Sequence, residues 1–196
     1  QLDKMKKQII HRWMLMAVFC LGASLIGINA QEKDWANLQR YAQQNAELPK
    51  PDKNEKRVVF MGNSITEGWV NTHPDFFKSN GYIGRGIGGQ TSYQFLVRFR
   101  EDVINLSPAL VVINAATNDI AENTGAYHED RTFGNIVSMV ELAKANHIKV
   151  ILTTTLPAAA FGWNPAIKDA PQKIQSLNAR IEAYAKANKI PFVNYY

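Results

Sequence analysis

Short apolar runs that alternate with stretches of helical spacing constrain this chain more than any other feature. The runs are "RVVFM" (57–61), "ALVVIN" (109–114), "IKVILTTT" (148–155) and "IPFVNYY" (190–196), with a weaker "YIGRGI" at 82–87. They do not alternate polar with apolar, so each must be buried on both faces. Between them, Phe95, Leu96, Phe99, Val103 and Leu106 recur at helical intervals. So do Phe133, Ile136, Val137, Val140 and Ala143, and, after Pro171, Ile174, Leu177, Ile181 and Tyr184. Parallel strands need crossovers, and amphipathic helices supply both the crossover and the cover. The pattern predicts an α/β fold: a three-layer α/β/α sandwich around a five-stranded parallel sheet.

The first thirty residues do not fit this pattern. Lys6, Lys7 and Arg12 precede an uncharged 16-residue run, Trp13 to Ile28, which ends at Asn29-Ala30 before a polar stretch. A basic start, an apolar centre and a small residue describe an export signal cut after Ala30. The run is shorter than the about 20 residues that span a bilayer. Residues 1–4 precede the expected start at Met5. Lys4, Lys6, Lys7 and Arg12 against Asp3 account for +3 of the net charge of +5, leaving +2 for the rest. That is a poor basis for nucleic-acid or membrane-surface binding. Cys20 is the one cysteine, so the part after Ala30 has no disulfide and no thiolate metal site. Its histidines and carboxylates show no metal-ligand spacing, and no cofactor is implied. Residues 31–56 read as a helix with a stripe of Trp35, Leu38, Tyr41 and Ala46, then a Pro-rich linker. The main domain spans 57–196, and the exported product is expected in the periplasm or outside the cell.

Open parallel sheets bind ligands at the carboxyl ends of their strands. After the first strand, "GNSITEGW" places Ser64 at a strand-to-helix turn that exposes a hydroxyl, as a nucleophile requires. Ser64 also lies three residues before Glu67, the spacing of a plain capping box. After the second strand, Gly84, Gly86 and Gly89 spell G-x-G-x-x-G. A dinucleotide loop follows the first strand of its unit and needs an acidic residue at the end of the next strand, where this chain has Asn114. What remains is a Gly-rich turn into a helix capped by Thr91 or Ser92, whose free amides suit an anion. After the third strand, Asn118 offers a carboxamide beside Asp119. A hydroxyl, a Gly amide and an Asn amide at successive strand ends suit acyl transfer, in which an oxyanion must be held.

These residues resemble the blocks of the SGNH hydrolases, the GDSL-type esterases and lipases. "GNSIT" is similar to the first block, "GIGGQTS" to the second and "ATND" to the third. The resemblance implies a flavodoxin-like sheet, Ser64 as nucleophile, and Gly89 and Asn118 as oxyanion donors. Asn63 stands where the family often has Asp. Ala116 stands where it usually has Gly, which strains the backbone if φ is positive.

The family's base is a His in a D-x-x-H block, and no D-x-x-H occurs in these 196 residues. His73 and His128 follow strands one and three on the correct rim; His147 precedes the fourth strand, and His11 lies in the leader. The expectation is a fragment whose Asp and His lie beyond residue 196 and which is nearly inert alone. Asn63, Trp69, Tyr127 and Trp163 are the candidate substrate contacts, and the substrate class implied is a short-chain ester, including O-acetyl groups of carbohydrates. The rival reading is a carbohydrate-binding protein that keeps the fold without the catalysis; a nucleotide-binding oxidoreductase ranks third.

Overall fold

β1 (Val58–Gly62), β2 (Tyr82–Gly86), β3 (Leu110–Ile113), β4 (Lys149–Thr153) and β5 (Phe192–Val193) form one sheet in a computed structural model that describes residues 34–195. All pair in parallel, in the order β2-β1-β3-β4-β5. The export signal and its cleavage point lie outside the described residues. Among the described residues no helix is long and apolar enough to cross a membrane.

Val59, Met61, Val111, Ile113, Val150 and Leu152 point to one face of the sheet and are buried. They pack against α4 (Ser92–Asp102), α6 (Glu129–Ala145) and α7 (Ala170–Ala187). The sequence stripes meet there: Phe95, Phe99, Ile136, Val140, Ile174, Leu177 and Ile181 are all buried in one core. Burying each such side chain stabilises the fold by about 1.5–3 kcal/mol.

The opposite face is covered by α2 (Ser64–Thr72) and α3 (Pro74–Ser79), which pack on β1 and β2. Phe60, Trp69, Phe76, Phe77 and Tyr82 join there in one aromatic cluster, with Phe60 and Trp69 edge to face at 5.5 Å. Beside α2 an apolar groove of about 380 Å³ stays open, lined by Ile65, Trp69, Val112, Asn114, Leu156 and Tyr195. The expected cover on both faces is therefore incomplete on this side among the described residues.

Close approach explains two of the three glycines in the G-x-G-x-x-G string. A Cβ on Gly84 would lie 2.2 Å from Val70 Cγ2, and one on Gly86 would lie 2.3 Å from the Glu67 amide nitrogen. They let α2 lie directly against β2. Gly89 serves differently, turning the chain at φ +75.

The expected N-terminal helix is broken. Asn37 adopts φ 55, a single 3₁₀ turn follows at Leu38–Arg40, and only Ala42–Glu47 (α1) is α-helical. The break turns Tyr41 inward, where its hydroxyl donates to the Gly86 carbonyl, and leaves Trp35 47% exposed. α5 (Thr117–Ile120) is a single turn that starts after Ala116 at φ +82. That angle is the strained case for a residue with a Cβ.

Candidate active site

β1 ends at Gly62, and Asn63 caps α2 by accepting from the Ile65 amide at 3.0 Å. Ser64 is thus the first residue of the helix and not its cap, which corrects the capping-box alternative. Its side chain is exposed at the rim. Glu67 does not reach back to a cap. Its two oxygens accept from the Gly88 amide at 2.8 Å and from Arg40 Nη2 at 3.0 Å. Glu67 therefore ties the helix that carries Ser64 to the Gly turn. The two segments are close: a Cβ on Gly88 would stand 3.8 Å from Ser64 Cβ.

The turn from Gly88 to Gln90 is held from several directions. The Gln90 amide group donates to the Ala36 carbonyl at 2.7 Å and accepts from Arg98 Nε at 2.6 Å. Asn118 Nδ2 donates to the Gln90 carbonyl at 2.8 Å, and Asn123 Nδ2 to the Gly89 carbonyl at 3.0 Å. A carboxamide nitrogen has two hydrogens, so Asn118 keeps one beyond its bond to Gln90. Thr91 forms the expected cap of α4, in a capping box with Gln94.

The structure thus brings Ser64, Gly89 and Asn118 to one stretch of rim. Two residues that carry this arrangement escaped the sequence reading. Arg98 is fully buried and bridges Gln90, Asp102 at 2.8 Å and the Gly62 carbonyl at 3.0 Å. Asp119 is buried beside Asn118 and accepts from the Ser92 amide (2.9 Å), the Ser92 hydroxyl and Thr132 (3.2 Å). Burial pushes the Asp119 carboxyl up, and the bonds from Ser92 and Thr132 act against that rise. The i, i+4 spacing of Arg98 and Asp102 on the Phe95/Phe99 stripe is the signal that could have revealed this buried ion pair.

The other candidates separate. Asn63 is 1% exposed and caps α2, a buried place at odds with the substrate contact expected of it. Trp69 sits in the aromatic cluster and lines the apolar groove. Tyr127 is half-buried; Lys173 lies over its ring at 5.6 Å, its hydroxyl has no hydrogen-bond partner among the described residues, and burial pushes the phenol well above its usual range. Trp163 is 61% exposed, and its indole donates to Asn123 Oδ1 at 2.9 Å. It therefore touches the residue that holds Gly89.

No described histidine is placed beside Ser64. His73 follows the nine residues of α2, which carry it about 13 Å along the helix from Ser64, and its Nδ1 lies 2.9 Å from Thr72 Oγ1. Following the first strand did not keep it at the strand's end. His128 lines a separate cleft with Trp35 and Arg131, and His147 lies by the amino end of β4. Among the described residues, no group of three or more His, Cys, Asp or Glu side chains is arranged to hold a metal ion.

Comparison with known proteins bears on this geometry. A model of the GDSL-like lipase/acylhydrolase family matches residues 60–196. The chain is 96% identical to a solved candidate acylhydrolase from Bacteroides fragilis NCTC 9343, with TM-score 0.84, covering 84% of this chain and 79% of that one. It is 83% identical to a GDSL-like lipase from Bacteroides thetaiotaomicron VPI-5482, with TM-score 0.82 and coverage of 82% and 78%. The acetyl xylan esterase AlAXEase is 24% identical, with TM-score 0.58 over 71% of this chain and 77% of that one, a likeness of fold alone. Over 117 residues the chain is 32% identical to the uncharacterized lipoprotein YqeF of Bacillus subtilis (strain 168), a match over 51% of this chain. It spans about half, 48%, of the length of that curated relative.

Proposed function

The chain belongs to the GDSL-like lipase/acylhydrolase family, and from that premise we propose that it is a serine ester hydrolase centred on Ser64. Ser64 Oγ attacks the acyl carbon and gives its proton to a base. The carbonyl oxygen becomes an anion held by the Gly89 amide, the free Asn118 Nδ2 hydrogen and the Ser64 amide. As a first-turn amide of α2, the last has no partner within the helix. The alcohol leaves with the proton, and water then releases the acid from Ser64. The observation that carries this reading is the exposed hydroxyl of Ser64 at the start of α2, packed beside a Gly turn that Asn118 itself holds.

The base in this proposal is the histidine of a D-x-x-H block, which these 196 residues do not contain. No described histidine stands near Ser64. The substrate is a short-chain ester, with O-acetyl groups on carbohydrate the favoured class. Its support is the exposed indole of Trp163 beside the turn and the fold shared with an acetyl xylan esterase. Export through the leader fits a likeness to a lipoprotein. Hydrolysis of p-nitrophenyl acetate by the full-length protein, lost in Ser64→Ala, tests the proposal. Unchanged turnover in that variant overturns it, and an intact protein that binds acetylated oligosaccharide without hydrolysing it selects the non-catalytic binder.

A further inference from the structure

A second cleft opens beside the Gly turn. It has a volume of about 330 Å³, in the range of small-molecule sites, and is lined by Trp35, Tyr93, Thr124, His128 and Arg131. Two contacts join it to the candidate active site. Thr124 Oγ1 is 3.1 Å from Thr91 Oγ1, at the end of the turn, and the preceding residue, Asn123, holds the Gly89 carbonyl. Asn123 also holds Trp163. The loop beside the turn therefore meets one exposed indole at Asn123 and a second, Trp35, across the cleft.

Among the described residues the charge in this cleft is uncompensated. Arg131 is exposed and makes no ion pair or side-chain hydrogen bond among the described residues. The acidic residues just before it, Glu129 and Asp130, are both engaged by Arg180, at 3.0 and 2.9 Å. Asp34, beside Trp35, accepts from the amides of Leu38 and Gln39. The His128 ring adds a donor on the same wall. An indole face, a phenol, a threonine hydroxyl and a free guanidinium form a set with one clear complement. It is a pyranose ring with apolar C–H faces, hydroxyls and a carboxylate, because a guanidinium pairs with a carboxylate in a planar, two-bonded fit.

We propose that this cleft is a binding subsite for an acidic sugar, a uronate unit of the polysaccharide whose ester lies at Ser64. The proposal rests on the esterase reading for the ester, but not for the binding. A substrate chain would run from the rim at Ser64 past Asn123 to the cleft, with its carboxylate on Arg131 and its ring on Trp35. Neutral acetylated polymers would lack the Arg131 contact.

The test is calorimetric titration of the full-length Ser64→Ala protein with three hexasaccharides. Hexagalacturonate should bind at least tenfold more tightly than xylohexaose. Arg131→Ala should remove that preference, Arg131→Lys should keep part of it, and Trp35→Ala should weaken both sugars. Equal affinity for the two sugars, or no change in Arg131→Ala, overturns the proposal. Equally tight binding of a heparin-derived hexasaccharide makes the cleft a general polyanion site and also overturns the carboxylate assignment. Because binding is read without Ser64, it stands apart from turnover of p-nitrophenyl acetate. Turnover with no uronate preference sinks the subsite alone, and uronate binding with no turnover sinks the esterase reading alone.

Discussion

Replacing Arg98 with Met should destabilise the domain by about 3–5 kcal/mol, the usual cost of removing one partner of a buried ion pair. The guanidinium is fully buried and makes three bonds, to Gln90, Asp102 and the Gly62 carbonyl. Gly62 keeps the Ile87 amide as a donor, so its carbonyl is not stranded. Asp102 fares worse: it is 2% exposed and, among the described residues, retains only Asn45 Nδ2 as a side-chain donor, at 2.8 Å. An under-solvated carboxylate is thus the main source of the loss. In a domain of this size each kcal/mol moves Tm by about 2–4 °C, so the variant should melt roughly 6–20 °C lower. Arg98→Met combined with Asp102→Leu should regain most of the stability, because an apolar pair of similar volume replaces a buried ion pair at little cost. Urea and thermal unfolding followed by circular dichroism measure both. A single variant within 1 kcal/mol of wild type, or a double variant no more stable than the single one, would refute the reasoning.

Other outcomes follow from the site. Asn118→Ala should lower kcat on p-nitrophenyl acetate by about 10²–10³-fold in the full-length protein, as loss of one oxyanion donor does. Glu67→Ala frees the Gly88 amide and Arg40, and should lower kcat about tenfold with KM little changed; a change in KM alone would place Glu67 in substrate binding instead. Burial raises the Asp119 pKa, so the neutral carboxyl favours the folded state. The stability it contributes is present below its ordinary value of 3.8 and is lost as pH rises through the raised folded value. Relative to Asp119→Asn, wild type should therefore gain stability on acidification, and parallel melting curves at all pH values would contradict this.

The sheet was legible because β1, β3 and β4 are apolar on both faces and alternate with amphipathic helices, the pattern of a parallel sheet covered by its crossovers. The placement of Ser64, Gly89 and Asn118 on one rim was legible because each follows a strand closely, where few residues separate the motif from a fixed point of the sheet. The place of His73 was not, because the nine-residue helix that starts at Ser64 carries it away from the rim, a displacement that chain order hides. Gly84 and Gly86 look like phosphate-binding glycines, yet they answer to Val70 and the first turn of α2, contacts made across elements. Arg98 has the composition of a solvent-facing residue, and only its place between Phe95 and Asp102 on the buried stripe betrays it. The broken N-terminal helix turned on Asn37 and Tyr41, where a tertiary bond to Gly86 outweighs local helical spacing.

A fluorophosphonate that forms a covalent adduct at an activated serine tests the central claim most directly, with the labelled peptide identified by mass spectrometry in the full-length protein. The account predicts a single adduct, on Ser64, that forms at least 100-fold more slowly in Asn118→Ala. An adduct on a different serine, or a Ser64 adduct formed equally fast without the Asn118 carboxamide, would contradict it.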